Sequence, residues 1–325
     1  MLNRAELWSR AAHLIEGGKR AALATVAKAR GSLPMAHDAK MLVSADGDRL
    51  GTVGGGCTEA DVTAQALATW DTKTPCFVKH TLNADLAGDI GLSCGGTVEL
   101  FVEPLLPSDE LVQLCRGVAD AIDRRVAGTV TTGLDWTNGP RKVATAGNKT
   151  WQVGSALGPR PSVREFVEKL PRLPRLLVFG AGHVGAEIAR VASRCDFHVV
   201  VVDDRADFAN AERLPWAHEV VAEDFRTVID RLAIDADDYI IAATRGHGHD
   251  ALIVERTAGS AATYVGMLGS KRKQSVIWKA LERAGVPADR LARVKVPIGE
   301  DIGADTPAEI AVAVVAELIR LRRGR

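Results

Sequence analysis

The sequence has no net charge, no closely paired cysteines and no long apolar run. Its 41 acidic residues balance 41 basic ones, so no overall field draws the chain to nucleic acid or to an anionic membrane. The five cysteines (Cys57, Cys76, Cys94, Cys115 and Cys195) are odd in number and form no C-x-x-C pair. That argues against a disulfide framework and a structural zinc site, and fits a reducing cytoplasm. No stretch reaches the length of a membrane span, and the opening Met-Leu-Asn-Arg-Ala-Glu-Leu-Trp carries charge where a signal peptide needs an apolar core. Repeats and low-complexity tracts are also missing. The expectation is a cytoplasmic protein with no nucleic-acid or membrane partner, and 325 residues are enough for two domains that each bury a core.

What is present is organised around 175–205. An apolar run over 176–179 stops abruptly at Gly180, and Gly180, Gly182 and Gly185 form G-x-G-x-x-G ahead of a helically spaced segment. A second apolar run, 198–202, closes at Asp203 and Asp204, roughly where a ribose-binding carboxylate belongs. The first glycine permits a tight turn, the second lets a phosphate approach the backbone, and the third lets helix and strand pack closely. The helix then aims its free N–H groups at an anion. Further strand runs at 219–222, 239–243, 263–268 and 293–296, with helices between most of them, predict a C-terminal Rossmann-like doubly wound parallel sheet. Its ligand belongs at the strand carboxyl ends, where the strand order reverses.

The N-terminal half predicts a smaller α+β domain. A helix over 2–17 places Leu7, Ala11 and Leu14 on one stripe; strands at 40–44 and 49–53 flank a hairpin turn at Asp46-Gly47. The second of these strands runs into Gly54-Gly55-Gly56-Cys57-Thr58-Glu59. Three glycines let the backbone curl its N–H groups around an oxyanion. Cys57 falls at the start of the next helix, where the dipole favours a thiolate suited to a soft metal, a sulfur transfer or nucleophilic attack. Cys94-Gly95-Gly96 sets another cysteine among glycines, ahead of a strand; whether it shares a pocket with Cys57 is left open by the sequence. Cys76, Cys115 and Cys195 read as core fillers. The expected division is 1–158 for this domain, 159–174 for a proline-rich connection with a short helix at 163–169, and 175–325 for the Rossmann-like domain.

Three more loops stand at the predicted carboxyl ends. Thr244-Arg245-Gly246-His247-Gly248-His249-Asp250 invites a metal reading, yet H-x-H-D lacks the last histidine of the hydrolase pattern H-x-H-x-D-H, and hydrogen bonding to a ligand from His247 is favoured. Gly269-Ser270-Lys271-Arg272-Lys273 opens a helix with three cations that suit a phosphate. Thr306-Pro307-Ala308-Glu309 is a capping box that fixes the start of the last helix. His183, inside the glycine loop, is not required for a nicotinamide cofactor and leans away from a plain dehydrogenase.

Together these pieces resemble the XdhC/CoxI family, accessory proteins of xanthine dehydrogenase and related molybdenum hydroxylases. The resemblance is carried by Gly51-Thr52-Val53-Gly54-Gly55-Gly56-Cys57-Thr58-Glu59, Cys94-Gly95-Gly96, Phe179-Gly180-Ala181-Gly182-His183-Val184-Gly185, Asp203-Asp204-Arg205 and Thr244-Arg245-Gly246-His247. Tyr264 through Lys273 and Pro297 through Pro307 complete it. Departures from the family pattern are Met35 in place of Arg, Asp38 in place of Gly and Glu300 in place of Leu. The resemblance implies a homodimeric chaperone without turnover of its own. It would hold the molybdenum cofactor, in its molybdopterin form, while a cysteine desulfurase supplies the terminal sulfido ligand, then deliver it to apo-xanthine dehydrogenase or a related molybdenum hydroxylase. The residue reading and the resemblance together assign cofactor binding to Gly54, Gly55, Gly56, Cys57, Glu59, Cys94, Gly95, Gly180, Gly182, His183, Gly185, Asp203, Arg205, His247, Ser270, Lys271 and Arg272. Cys57 is expected against the molybdenum and the Gly180 loop on the phosphate. The rival readings are an NAD(P)-dependent oxidoreductase using the Gly180 loop and Asp203, and a metal hydrolase at His247, His249 and Asp250.

Overall fold

The computed structural model describes residues 4–31, 39–54, 56–82, 96–154 and 164–324. The chain divides into two compact units, Leu2–Arg172 and Leu173–Arg325.

The first unit runs α1 (Arg4–Glu16), β1 (Ala21–Gly31), β2 (Lys40–Ser44), β3 (Arg49–Gly51), α2 (Gly56–Thr72), β4 (Cys76–Leu82), β5 (Gly96–Pro104), α3 (Asp109–Asp123), β6 (Gly128–Gly133), β7 (Lys142–Ala146), β8 (Lys149–Val153) and β9 (Glu165–Lys169). Five strands make one antiparallel sheet, in the order β3-β2-β1-β5-β4, and four make a second, in the order β8-β7-β6-β9. Successive residues of β1 alternate between two cores, as the two-residue period of a strand requires. Leu23 packs with Leu7, Ala11 and Leu14 of α1, Leu114 and Val118 of α3, and Val130 and Ala144 of the second sheet. Ala22 and Ala24 turn the other way, onto Val62 and Ala66 of α2. The expected stripe of α1 is therefore the one it buries.

Of the stretch expected as a short helix at 163–169, Glu165–Lys169 are instead the strand β9, paired antiparallel with β6 from Thr129↔Lys169 to Gly133↔Glu165. The physical reason is Glu168. It is buried because Lys40 of β2 lies 2.8 Å from its carboxylate, so a position that reads as polar faces inward and disguises the strand alternation. A second buried pair, Lys142–Glu103 at 2.5 Å, joins β7 to β5. Both ammonium groups lie 5.7–5.8 Å from the Trp8 ring centroid, and Thr25 and Thr132 accept further hydrogen bonds from Lys40 and Lys142. Burial holds the Lys40 ammonium below the ordinary lysine range, with Glu168 opposing the shift.

The second unit runs β10 (Arg175–Phe179), α4 (His183–Ser193), β11 (His198–Asp203), β12 (Glu219–Ala222), α5 (Phe225–Arg231), β13 (Asp238–Ala242), α6 (His247–Thr257), β14 (Tyr264–Met267), α7 (Lys271–Arg283), α8 (Ala288–Ala292), β15 (Val294–Lys295) and α9 (Pro307–Arg322). Its six strands are all parallel, in the order β12-β11-β10-β13-β14-β15. This is the expected doubly wound sheet, with the order reversing between β10 and β13. Leu177 and Phe179 face α5, α6 and α7; Leu176 and Val178 face α4 and α9. The capping box at Thr306 and Glu309 starts α9 as expected. Glu300, a departure from the family pattern, pairs with Arg320 of α9 at 2.6 Å.

Candidate functional site

The turn after β10 is shaped by close backbone approaches. Gly180 has φ +111°, and a Cβ there would sit 2.3 Å from the Ala243 carbonyl oxygen at the end of β13. A Cβ on Gly185 would lie 1.9 Å from the Gly180 oxygen. Both glycines are therefore demanded by packing. Gly182 differs: nothing among the described residues lies within 4 Å of the position a Cβ would take. It is the N-cap of α4, and no side chain among the described residues caps that helix.

The next loop across the crossover repeats the arrangement. Gly246 is the N-cap of α6, again without a side-chain cap. Two helices of 11 residues thus start at adjacent strand ends with first-turn amides and positive dipole ends uncommitted to side-chain caps. Exposed His183 and His247 are the first residues of these helices. The arrangement suits an anion, and phosphate in particular.

Asp203, the expected ribose-binding acid, is 1% exposed. One carboxylate oxygen accepts from the Ala181 amide at 2.8 Å and from Arg205 Nη2 at 3.0 Å. The other accepts from the Arg205 amide at 3.1 Å and its Nε at 2.8 Å. Burial pushes the carboxyl up, but the Arg205 guanidinium and the two amides outweigh it and hold the group below the ordinary carboxylate range. The guanidinium of Arg205 also stacks 3.5 Å from the Phe208 ring centroid. Asp203 and Arg205 are thus committed to each other and to the glycine turn. Asp204 reaches over the end of β10 to Arg245, 3.2 Å away, in the loop after β13.

The loop after β13 is clasped from within. Asp250 is fully buried; it accepts from Thr244 Oγ1 at 2.7 Å and the Thr244 amide at 3.1 Å, and pairs with Lys273. Lys273 also donates to the Leu268 carbonyl at 2.9 Å. Of the three cations opening α7, Lys273 is therefore internal, while Lys271 and Arg272 are exposed. Ser270 caps that helix through the Lys273 amide. The hydrolase reading loses its acid to this clasp, and His249 packs against the Phe225 ring at 5.2 Å. Among the described residues no three His, Cys, Asp or Glu side chains group to hold a metal.

In the first unit, Glu59 in the first turn of α2 accepts from Thr52 Oγ1 at 2.6 Å, and the Gly54 amide donates to the same hydroxyl at 3.3 Å. Arg49 lies 3.8 Å from Glu59. The carboxylate thus ties the glycine turn to the helix it opens. Gly56 starts α2 and Cys57 is its second residue. The Cys57 side chain, Gly55, Cys94 and Gly95 lie outside the described residues, as do Met35 and Asp38. Burial pushes the Cys115 thiol up to about 12, Lys142 opposing more weakly, and raises the Cys76 thiol. These are poor nucleophiles, in keeping with packing roles. Motif reasoning missed the Thr244–Asp250–Lys273 clasp and the two buried lysine–glutamate pairs, because nothing in their spacing marks which polar residues face inward.

Residues 176–318 match the model of the XdhC Rossmann domain, and residues 14–81 match that of the XdhC and CoxI family. The chain is 27% identical over 317 residues to YqeB of Escherichia coli K12; the match takes in 97% of this chain and spans only 46% of the relative. It is 26% identical to a Bacillus subtilis 168 protein whose name makes it a probable xanthine dehydrogenase subunit, covering 95% of this chain and 96% of that one. A third relative, the molybdenum cofactor insertion chaperone PaoD of Escherichia coli K12, is 22% identical over 96% of this chain and 86% of its own. A crystal structure from Bacillus halodurans, titled a xanthine dehydrogenase, superposes with a TM-score of 0.79 at 26% identity, over 98% of this chain and 96% of that one.

Proposed function

This chain belongs to the XdhC and CoxI family, and from that premise we propose that it is an accessory protein that carries molybdenum cofactor to a molybdenum enzyme. In the finer reading the cargo is the molybdopterin form. It is held while a cysteine desulfurase installs the terminal sulfido ligand, and then passed to apo-xanthine dehydrogenase or a related molybdenum hydroxylase. The carrier acts in the cytoplasm as a homodimer and turns nothing over itself. No helix among the described residues is long and apolar enough to cross a membrane.

The observation that carries this reading is the pair of uncapped helix N-termini at the crossover of the parallel sheet. They offer amides and dipole ends to a phosphate, which molybdopterin has. In this reading Gly180, Gly182, His183, Gly185 and His247 surround the phosphate, with Lys271 and Arg272 at the start of α7 adding charge and Ser270, the cap of that helix, offering its hydroxyl. Asp203 and Arg205 hold the turn in shape. Cys57 and Cys94, each beside glycines, supply thiols to the metal–sulfur end, and Glu59 fixes the turn that presents Cys57. A dinucleotide-binding oxidoreductase is the second reading, favoured by the glycine fingerprint, but its ribose would find Asp203 already filled by Arg205 and the Ala181 amide.

The test is to assay pterin and molybdenum in protein purified from cells that make the cofactor, beside an NADH titration followed by fluorescence. Stoichiometric pterin, lost or reduced in molybdenum for Cys57→Ala, supports the carrier. Firm retention of NADH with no retention of molybdopterin cofactor offered anaerobically would reverse the assignment.

A further inference from the structure

We infer that the N-terminal unit carries a second small-molecule site, for a compact organic anion with an apolar body. A cleft of about 560 Å³ opens between the connection from β5 to α3 and the hairpin that joins β6 to β7. That volume is within the usual range for small-molecule sites. Leu105, Leu106 and Leu111 line one side; Trp136, Arg141 and Gln152 line the other. The ion pair Lys142–Glu103 also borders the cleft and cancels its own charge. Glu110 carries its charge at the rim, in solvent, where screening is strong.

That leaves Arg141 as the charge to be answered. Among the described residues no carboxylate lies within ion-pair distance of it, and its Nε is buried without an acceptor. Asp135, in the same hairpin, feels that charge but turns its carboxylate to the Thr137 amide and hydroxyl. The indole Nε1 of Trp136 is buried and likewise has no acceptor among the described residues. Two N–H donors on residues that line one cleft, themselves shielded from water and unsatisfied among the described residues, are costly, and a half-buried guanidinium without a counter-ion there adds to that cost. A carboxylate or sulfonate oxygen, reached by a small side-chain movement, would satisfy both donors, and the leucines would cover an attached ring. A cationic ligand would instead meet Arg141. The site is independent of the cofactor reading above, since no residue of the glycine turns contributes to it.

The test uses the full-length protein and two naphthyl dyes, anionic 8-anilinonaphthalene-1-sulfonate and neutral N-phenyl-1-naphthylamine. The sulfonate is expected to bind at one equivalent and to quench tryptophan emission in a way that Trp136→Phe removes. Affinity should fall roughly tenfold in Arg141→Gln, the equivalent of one charge-assisted hydrogen bond, and be lost in Leu106→Trp, which fills the cleft. The neutral dye should bind wild type no better than the sulfonate binds Arg141→Gln. Absence of a one-equivalent site overturns the inference, as does unchanged sulfonate affinity in Arg141→Gln with a wild-type melting curve. Should Leu106→Trp melt early, Arg141→Gln decides alone.

Discussion

Asp203 accepts the backbone N–H of Ala181 at 2.8 Å, so the last residue of one strand holds the turn that leaves its neighbour. Replacing it with Ala removes that bond and leaves Arg205 only the longer contact to Asp204, 3.9 Å away. Because the guanidinium is a quarter exposed, the expected loss is about 2–3 kcal/mol, toward the low end for breaking a buried charged pair. Urea denaturation of Asp203→Ala against wild type measures it.

The same carboxyl sets a pH dependence. Its folded-state value is depressed, so below about 4, the unfolded reference, the unfolded chain binds more protons than the folded one. The stabilisation is complete above that reference and disappears as pH falls through the folded value. Melting temperatures taken from about pH 6 down to about pH 2 should fall less steeply for Asp203→Ala than for wild type; parallel curves would remove Asp203 from the account.

The glycines of the fingerprint separate by packing. Gly185→Ala forces a methyl into the Gly180 carbonyl and should cost about 3 kcal/mol or more, as overpacking does at its upper end. Gly182→Ala meets nothing and should change stability by less than about 1 kcal/mol, yet it places a methyl where a phosphate would approach. Retention of molybdopterin cofactor should therefore fall in Gly182→Ala at unchanged melting temperature.

Asp204 and Arg245 pair across the end of β10 at 3.2 Å. Both are partly exposed, so Asp204→Asn should alter stability by less than about 1 kcal/mol. It releases Arg245 beside the proposed phosphate position, and inorganic phosphate should then bind more tightly at low salt, with the gain shrinking as salt is raised. Isothermal titration at two ionic strengths reads both parts.

The three cations of α7 should divide. Lys273→Met leaves Asp250 fully buried without its counter-ion and is expected to cost about 3–5 kcal/mol. Lys271→Ala and Arg272→Ala are exposed changes within about 0.5 kcal/mol. Chemical denaturation of the three variants gives the comparison.

What could be read in advance followed from periodicity and glycine. The run 176–179, the fingerprint glycines and the later apolar runs specify a parallel sheet because a strand buried on both faces leaves an uninterrupted apolar signature. Leu7, Ala11 and Leu14 showed the face of α1 for the same kind of reason. What stayed hidden was the partnering of polar side chains. Glu168 reads as surface until Lys40 is seen beside it, and Asp203 reads as a free ribose acid until Arg205 folds back onto it. Three adjacent cations at the start of a helix look equivalent, although Asp250, more than twenty residues earlier in the chain, withdraws one of them. Trp136 and Arg141 belong to no motif, and only the hairpin geometry puts them on one wall.

The strand β9 decides where the N-terminal half can be cut. A fragment ending at 158 would strip β6 of its outer neighbour, laying bare a row of backbone hydrogen-bonding groups that invites aggregation. It would also take away Glu168 and maroon the Lys40 ammonium in a dry interior. Expression of this half by itself should therefore succeed only when the chain continues to about residue 172, past a stretch rich enough in proline to be mistaken for a dispensable tether.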